Sequence, residues 1–319
     1  MCFIGALLMQ KTALLFAGQG AQAIGMGREF ADNFPTAKVL FDHANTTLGY
    51  DLASMCFNGP ESELTKTENA QPGIYLVSWV AFQLLKERVP TLEFHAVAGL
   101  SLGEFTALAS AGVMSFDNGL SMVRQRGRFM QEACEVTKGG MAAIIGLEEA
   151  ATREVCHQAD VELANINCPG QLVISGESSK ITAACELAKA RGAKKAIPLS
   201  VAGAYHSRLM ASAQSKLREA LAVIPLHSPA VPVISNVTAQ PHGDTSGILT
   251  RLIEQVTSPV RWEESMRFLI SQGFTRFIEL GPGAALSSFM KRIDKTVQIL
   301  NVADLKSLDA TVQAVSAGN

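Results

Sequence analysis

No stretch of the sequence has enough consecutive apolar residues to span a bilayer without meeting a charge or a turn, so an integral membrane protein is not expected. The apolar opening of residues 1–10 lacks a positively charged leader region and is too short to cross a membrane. It reads as an N-terminal extension, with Met9 closer to a natural start. The six cysteines (Cys2, Cys56, Cys134, Cys156, Cys168 and Cys185) are scattered, with no CxxC pair. This fits reduced, small apolar side chains in a cytoplasmic protein better than a disulfide framework. The histidines show no HExxH or other metal-ligand spacing. The glycine-rich turn at residues 18–27 has neither GxGxxG spacing nor a GK[ST] ending, so a nucleotide-binding reading has little behind it. A net charge of −2 gives no bulk attraction to nucleic acid or to an anionic membrane.

What is present is a chain of 319 residues, 48% hydrophobic and 18% charged, enough to bury a sizeable core. Residues 13–17 and 96–100 read as short buried strands, with helical patterns over 28–48 and 69–88 between them and a small-residue helix after the second. Strands alternating with helices predict an α/β domain around a parallel sheet covered on both faces. The middle of the chain changes character. Strands at 141–146, 161–166, 171–175 and 195–199 alternate with helices at 148–158 and 178–191. That βαββαβ order predicts a small inserted ferredoxin-like domain over 135–203. The larger domain then comprises 11–134 and 204–306, with strands again at 231–235 and 277–280.

Gly99-Leu100-Ser101-Leu102-Gly103 is a GxSxG at a strand-to-helix junction. Such a turn lifts a serine hydroxyl out of the sheet, and the next backbone N–H, of Leu102, can face a developing oxyanion. The competing reading is a glycine-rich turn with an incidental serine, which the flanking strand and helix weigh against. A serine nucleophile needs a base. Of the six histidines His206 is the best placed, in a loop where the inserted domain returns to the larger one. From position alone it reads equally well as a surface side chain. His43, His157 and His227 look solvated, His95 precedes a strand, and His242 lies in a PHGD turn. No aspartate has a compelling context as the third member of a triad, which leaves a backbone carbonyl as an alternative group to orient the ring.

Seven segments, in order, resemble the motifs of malonyl-CoA:acyl-carrier-protein transacylases of type II fatty acid synthesis and of polyketide synthase acyltransferase domains. They are FAGQGAQ (16–22), GLSLGEF (99–105), RQRGRFMQ (124–131), NINCPGQLVISG (165–176), GAYHS (203–207), SPVRW (258–262) and ELGPG (279–283). The resemblance implies an α/β-hydrolase-like fold with a ferredoxin-like insert and a ping-pong transfer of malonyl from coenzyme A to a carrier protein. Ser101 would carry the acyl group and His206 would be its base. Gln19 and Leu102 would form the oxyanion hole, and the main-chain carbonyl of Gln255 would hold the histidine. Arg126 would pair with the free carboxylate of malonate, through a guanidinium fork that suits a carboxylate. Without the motif, Arg126 reads as a solvated helical arginine beside Arg124 and Arg128. Asn165, Asn167 and Tyr205 would complete the acyl pocket. No metal or cofactor is implied, and a monomer is expected.

Three positions depart from the pattern. Leu100 replaces a common histidine before the serine, Ala17 a frequent proline, and Tyr205 the phenylalanine often found in malonyl-selective members. None removes nucleophile or base. Because such carriers are acidic, Arg208, Arg261 and Arg267 are candidate docking cations. Three other readings stay open at this level: a trans-acting polyketide acyltransferase, an acyl-thioester hydrolase with the same dyad, which the retained Arg126 argues against, and a non-catalytic scaffold.

Overall fold

The structure, a computed structural model, describes residues 10–317. The expected N-terminal extension, apart from Gln10, and Cys2 lie outside the described residues. In chain order the strands are β1 (Lys11–Phe16), β2 (Ala96–Gly99), β3 (Gly139–Ile145), β4 (Glu162–Cys168), β5 (Gln171–Glu177), β6 (Lys195–Pro198), β7 (Val233–Ile234), β8 (Phe274–Leu280) and β9 (Gln298–Val302).

Five strands form a parallel sheet in the order β7-β2-β1-β8-β9. Its central strand β1 is buried at every residue after Lys11, and β2 is buried throughout, as parallel strands covered on both faces must be. One face packs on the helices Thr67–Arg88 and Phe116–Val136, whose buried residues join Leu14, Phe16 and Val97 in the largest apolar cluster. The other face, with Ala13, Leu15, Ala98 and Phe277, packs on Trp262 and Met266. The remaining strands form a separate antiparallel sheet, β4-β5-β3-β6, covered by helices Glu149–Ala159 and Ser178–Ala190 around its own apolar cluster. β4 also ties this sheet to the rest of the chain. Ile166 N–H donates to the Val260 carbonyl at 2.9 Å, and Val260 N–H to the Ala164 carbonyl at 2.8 Å.

Several elements differ from the sequence reading. The helical pattern over 28–48 is two helices, Arg28–Asn33 and Pro35–Leu48, because extended Phe34 precedes a proline that can only open a helix. The last part of the chain is richer than expected: β9 completes the sheet edge, and helix Leu305–Ser316 packs beside it, beyond the expected boundary at 306. The described cysteines are free and buried. No helix among the described residues is long and apolar enough to cross a membrane.

Candidate active site

The end of β2 runs straight into the turn at Ser101 and then the helix Gly103–Ser110. Ser101 sits at φ +54°, in the left-handed region that a non-glycine residue enters at a cost on the order of 1 kcal/mol. The glycines on either side allow this turn. A Cβ on Gly99 would lie 1.9 Å from the Gly103 carbonyl, and one on Gly103 would lie 2.2 Å from the Phe16 carbonyl of β1. The strained turn is then held by side chains from a distant segment. Ser101 N–H donates to Asn236 Oδ1 at 2.6 Å, and Asn236 Nδ2 donates to the Gly99 carbonyl at 2.7 Å. The Ser101 carbonyl accepts from Gln255 Nε2 at 3.0 Å.

His206 also occupies the left-handed region, at φ +58°, and is buried. Its Nδ1–H donates to the main-chain carbonyl of Gln255 at 2.9 Å, which fixes the tautomer and leaves Nε2 facing Ser101 Oγ at 2.8 Å. That carbonyl is available because Gln255 is the last residue of helix Thr245–Gln255, where carbonyls lack intrahelical partners. The negative end of the helix therefore points at the imidazole. Burial, and next the Arg126 guanidinium, push the imidazole down to about 4, while the carbonyls of Gln255 and Ser258 act in the opposite direction.

Arg126 is 1% exposed. It lies on the inward stripe of helix Phe116–Val136 with Val123, Met130 and Ala133, whereas Arg124 and Arg128 face outward. Gly127 permits the close helix packing, since a Cβ there would lie 2.5 Å from the Thr67 carbonyl. The guanidinium donates through Nη2 to Ser101 Oγ (3.0 Å) and Gln255 Oε1 (2.9 Å), and through Nη1 to Gln71 Oε1 (2.8 Å). Nε has no partner. Among the described residues no carboxylate pairs with Arg126 directly, and burial lowers its pKa to about 10, which leaves it charged at neutral pH.

Ser101 and His206 open onto a cleft of about 870 Å³ between the two sheets, within the range that holds a substantial ligand. Gln19, Asn165, Asn167 and Tyr205 also line it, as does Leu100, the departure from the family pattern. Gln19 Nε2 donates to Thr67 Oγ1 at 3.4 Å, and Thr67 Oγ1 meets the Tyr205 hydroxyl at 2.5 Å. Burial pushes that phenol up to about 12, so it stays protonated. Asn167 Oδ1 is buried and unpartnered. Leu102 is fully buried as the N-cap of its helix and is not among the residues lining the cleft, and among the described residues nothing accepts its backbone N–H. The three candidate docking arginines are all engaged: Arg208 with Asp160 and Glu162, Arg261 with Glu264, and Arg267 with Glu263.

Sequence reasoning missed four residues of the site: Gln71, which accepts from Arg126, and Asn236, Glu104 and His242. Glu104, fully buried in the first turn after Ser101, accepts through Oε2 from Gln255 Nε2 (2.7 Å) and Asn236 N–H (3.1 Å), and through Oε1 from His242 Nε2 (2.5 Å). A signal for Glu104 existed: a lone acid in the otherwise small or apolar run of residues 103–109 needs buried partners. None existed for Asn236.

The profile of the acyl transferase domain family matches residues 13–309. A malonyl CoA-acyl carrier protein transacylase of Bacillus subtilis is 45% identical over 316 residues, which cover 98% of this chain and 99% of that protein. The structure of the malonyl CoA-acyl carrier protein transacylase from Coxiella burnetii superposes with a TM-score of 0.93 at 35% identity, covering 96% of this chain and 98% of that one. A malonyl-transacylase solved in complex with a type II polyketide acyl-carrier protein gives 0.92 at 36% identity, over 95% and 99%. With a family match spanning nearly the whole chain, and relatives covered almost end to end, this chain belongs to the acyl transferase domain family.

Proposed function

We propose that the protein transfers malonyl from malonyl-CoA to the phosphopantetheine thiol of an acyl carrier protein, supplying extender units for fatty acid synthesis in the cytoplasm. The observation that carries this reading is a fully buried guanidinium, without a directly paired carboxylate, bonded to the same hydroxyl that faces a buried imidazole. A neutral acyl group would offer that guanidinium no direct partner, whereas malonate brings a carboxylate that suits its fork.

The steps follow from the geometry. His206 Nε2 takes the Ser101 proton as Oγ attacks the thioester carbonyl carbon. The resulting imidazolium is held through Nδ1–H by the Gln255 carbonyl at the helix end. The oxyanion is received by the backbone N–H groups of Leu102 and Gln19. Arg126 exchanges its Ser101 bond for the substrate carboxylate, while Tyr205, Asn165 and Asn167 bound the acyl pocket. On collapse the C–S bond breaks, the His206 proton goes to the coenzyme A sulfur, and a malonyl-serine ester remains. The carrier thiol then reverses the sequence. Atoms and charge balance with no metal or redox cofactor.

The antiparallel order β4-β5-β3-β6 supports a ferredoxin-like insert over 135–203. A nucleophile turn directly after a parallel strand supports the hydrolase-like description of the rest, which the last helix extends to about residue 316. The relative solved with its carrier supports a carrier protein as partner. A monomer suffices, because one chain supplies every group named.

Mixing the protein with malonyl-CoA and no carrier tests this reading. One equivalent of coenzyme A is expected to be released, followed by a stall that added carrier relieves. Continuous release of free malonate would instead mark an acyl-thioester hydrolase.

A further inference from the structure

Arg126 is buried with no carboxylate on it, but one carboxylate reaches it through a single side chain. The Gln255 amide turns its oxygen to Arg126 Nη2 (2.9 Å) and its nitrogen to Glu104 Oε2 (2.7 Å). Its dipole is thus aligned between a cation and an anion, and each favours the orientation the other needs. Glu104 suits an ionised carboxylate, since every group bonded to it is a donor: Gln255 Nε2, Asn236 N–H and His242 Nε2. The His242 and Glu104 side chains are fully buried. His242 Nδ1 has no partner, which fits a lone pair there rather than a second N–H. The charge of Glu104 is therefore left for Arg126.

We infer that Glu104, oriented by His242 and relayed through the Gln255 amide, is the resting counter-ion of Arg126 and sets how strongly the cleft draws an acyl carboxylate. The inference rests on the reading that Arg126 receives the malonyl carboxylate. With the site empty, Glu104 answers the buried guanidinium. When the substrate carboxylate arrives, two anions share one cation, so Glu104 weakens binding in exchange for a stable empty site.

The test uses Glu104→Gln, Arg126→Met and the double variant. Glutamine keeps the shape of Glu104 and an acceptor for Gln255 and Asn236, and His242 can face the new amide by moving its proton to Nδ1. Melting temperatures of the four proteins form a cycle. Glu104→Gln is expected to lower the melting temperature in the native background and to cost less than half as much in the Arg126→Met background. Equal costs in both would overturn the inference. If Glu104→Gln alone fails to fold, the double variant is expected to fold; its failure beside a folded Arg126→Met would equally overturn it. Glu104→Gln is also expected to bind monomethyl malonate roughly three- to tenfold more tightly, whereas a merely structural role predicts unchanged or weaker binding. Arg126→Met separates the two layers. Unchanged monomethyl malonate affinity in that variant would sink the carboxylate reading itself, while the melting cycle still judges Glu104 as a counter-ion.

Discussion

Arg126→Ala is expected to lower malonyl transfer by roughly a thousandfold, about 4 kcal/mol, while acetyl transfer falls by less than tenfold or rises. Malonyl-CoA and acetyl-CoA differ by one carboxylate, and in the variant that carboxylate enters a buried pocket with no guanidinium to receive it. Loss of the Nη2 bond to Ser101 Oγ affects both substrates alike, so the ratio of the two rates isolates the carboxylate contact. Side-by-side kcat/KM values decide the point, and equal losses for both would contradict the role given to Arg126.

His206→Ala is expected to slow acylation of Ser101 by about three to four orders of magnitude, as removal of a positioned base does. The remaining rate comes from the oxyanion donors and binding. In the unmodified protein the imidazole, pushed down to about 4, is already neutral well below pH 7. The sign follows directly: only the neutral ring accepts the serine proton, so acylation is lost only as pH falls towards 4. The profile should be flat from about pH 5.5 to 8 instead of bending near the ordinary histidine value of about 6.5. Because Arg126 contributes to the depression, Arg126→Ala should move the acid limb upward, measurable with acetyl-CoA. A bend near 6.5 in the unmodified protein would mean that the base is solvated during turnover.

The parts of this site that could be read from the sequence are those written locally. The GxSxG turn carries its own sterics, and the alternation of strands and helices anticipated both sheets. Arg126 was ambiguous because its flanks, Arg124 and Arg128, are exposed cations. Its place on the stripe of Val123, Met130 and Ala133 was the usable cue. The scaffold behind Ser101 is long-range, and of its members only Glu104 left a local trace. Asn236 is 135 residues from Ser101 and His242 is 138 from Glu104, and a histidine in a proline-glycine turn gives no hint that it will be buried. Gln255 was expected to hold His206 by its carbonyl, but the sequence did not indicate that its side chain also joins Arg126, Ser101 and Glu104. The candidate docking arginines each have an acidic neighbour that the sequence reading did not pair with them, in two cases three or four residues along the same helical segment.

The central claim is that the hydroxyl at the β2 turn carries the acyl group between donor and acceptor. Peptide mapping by mass spectrometry, after brief exposure to malonyl-CoA without carrier, tests it most directly. One malonyl increment is expected on Ser101, absent from Ser101→Ala and discharged by an added carrier thiol. A chain that remains unlabelled, or a label on another residue that survives in Ser101→Ala, would contradict the account.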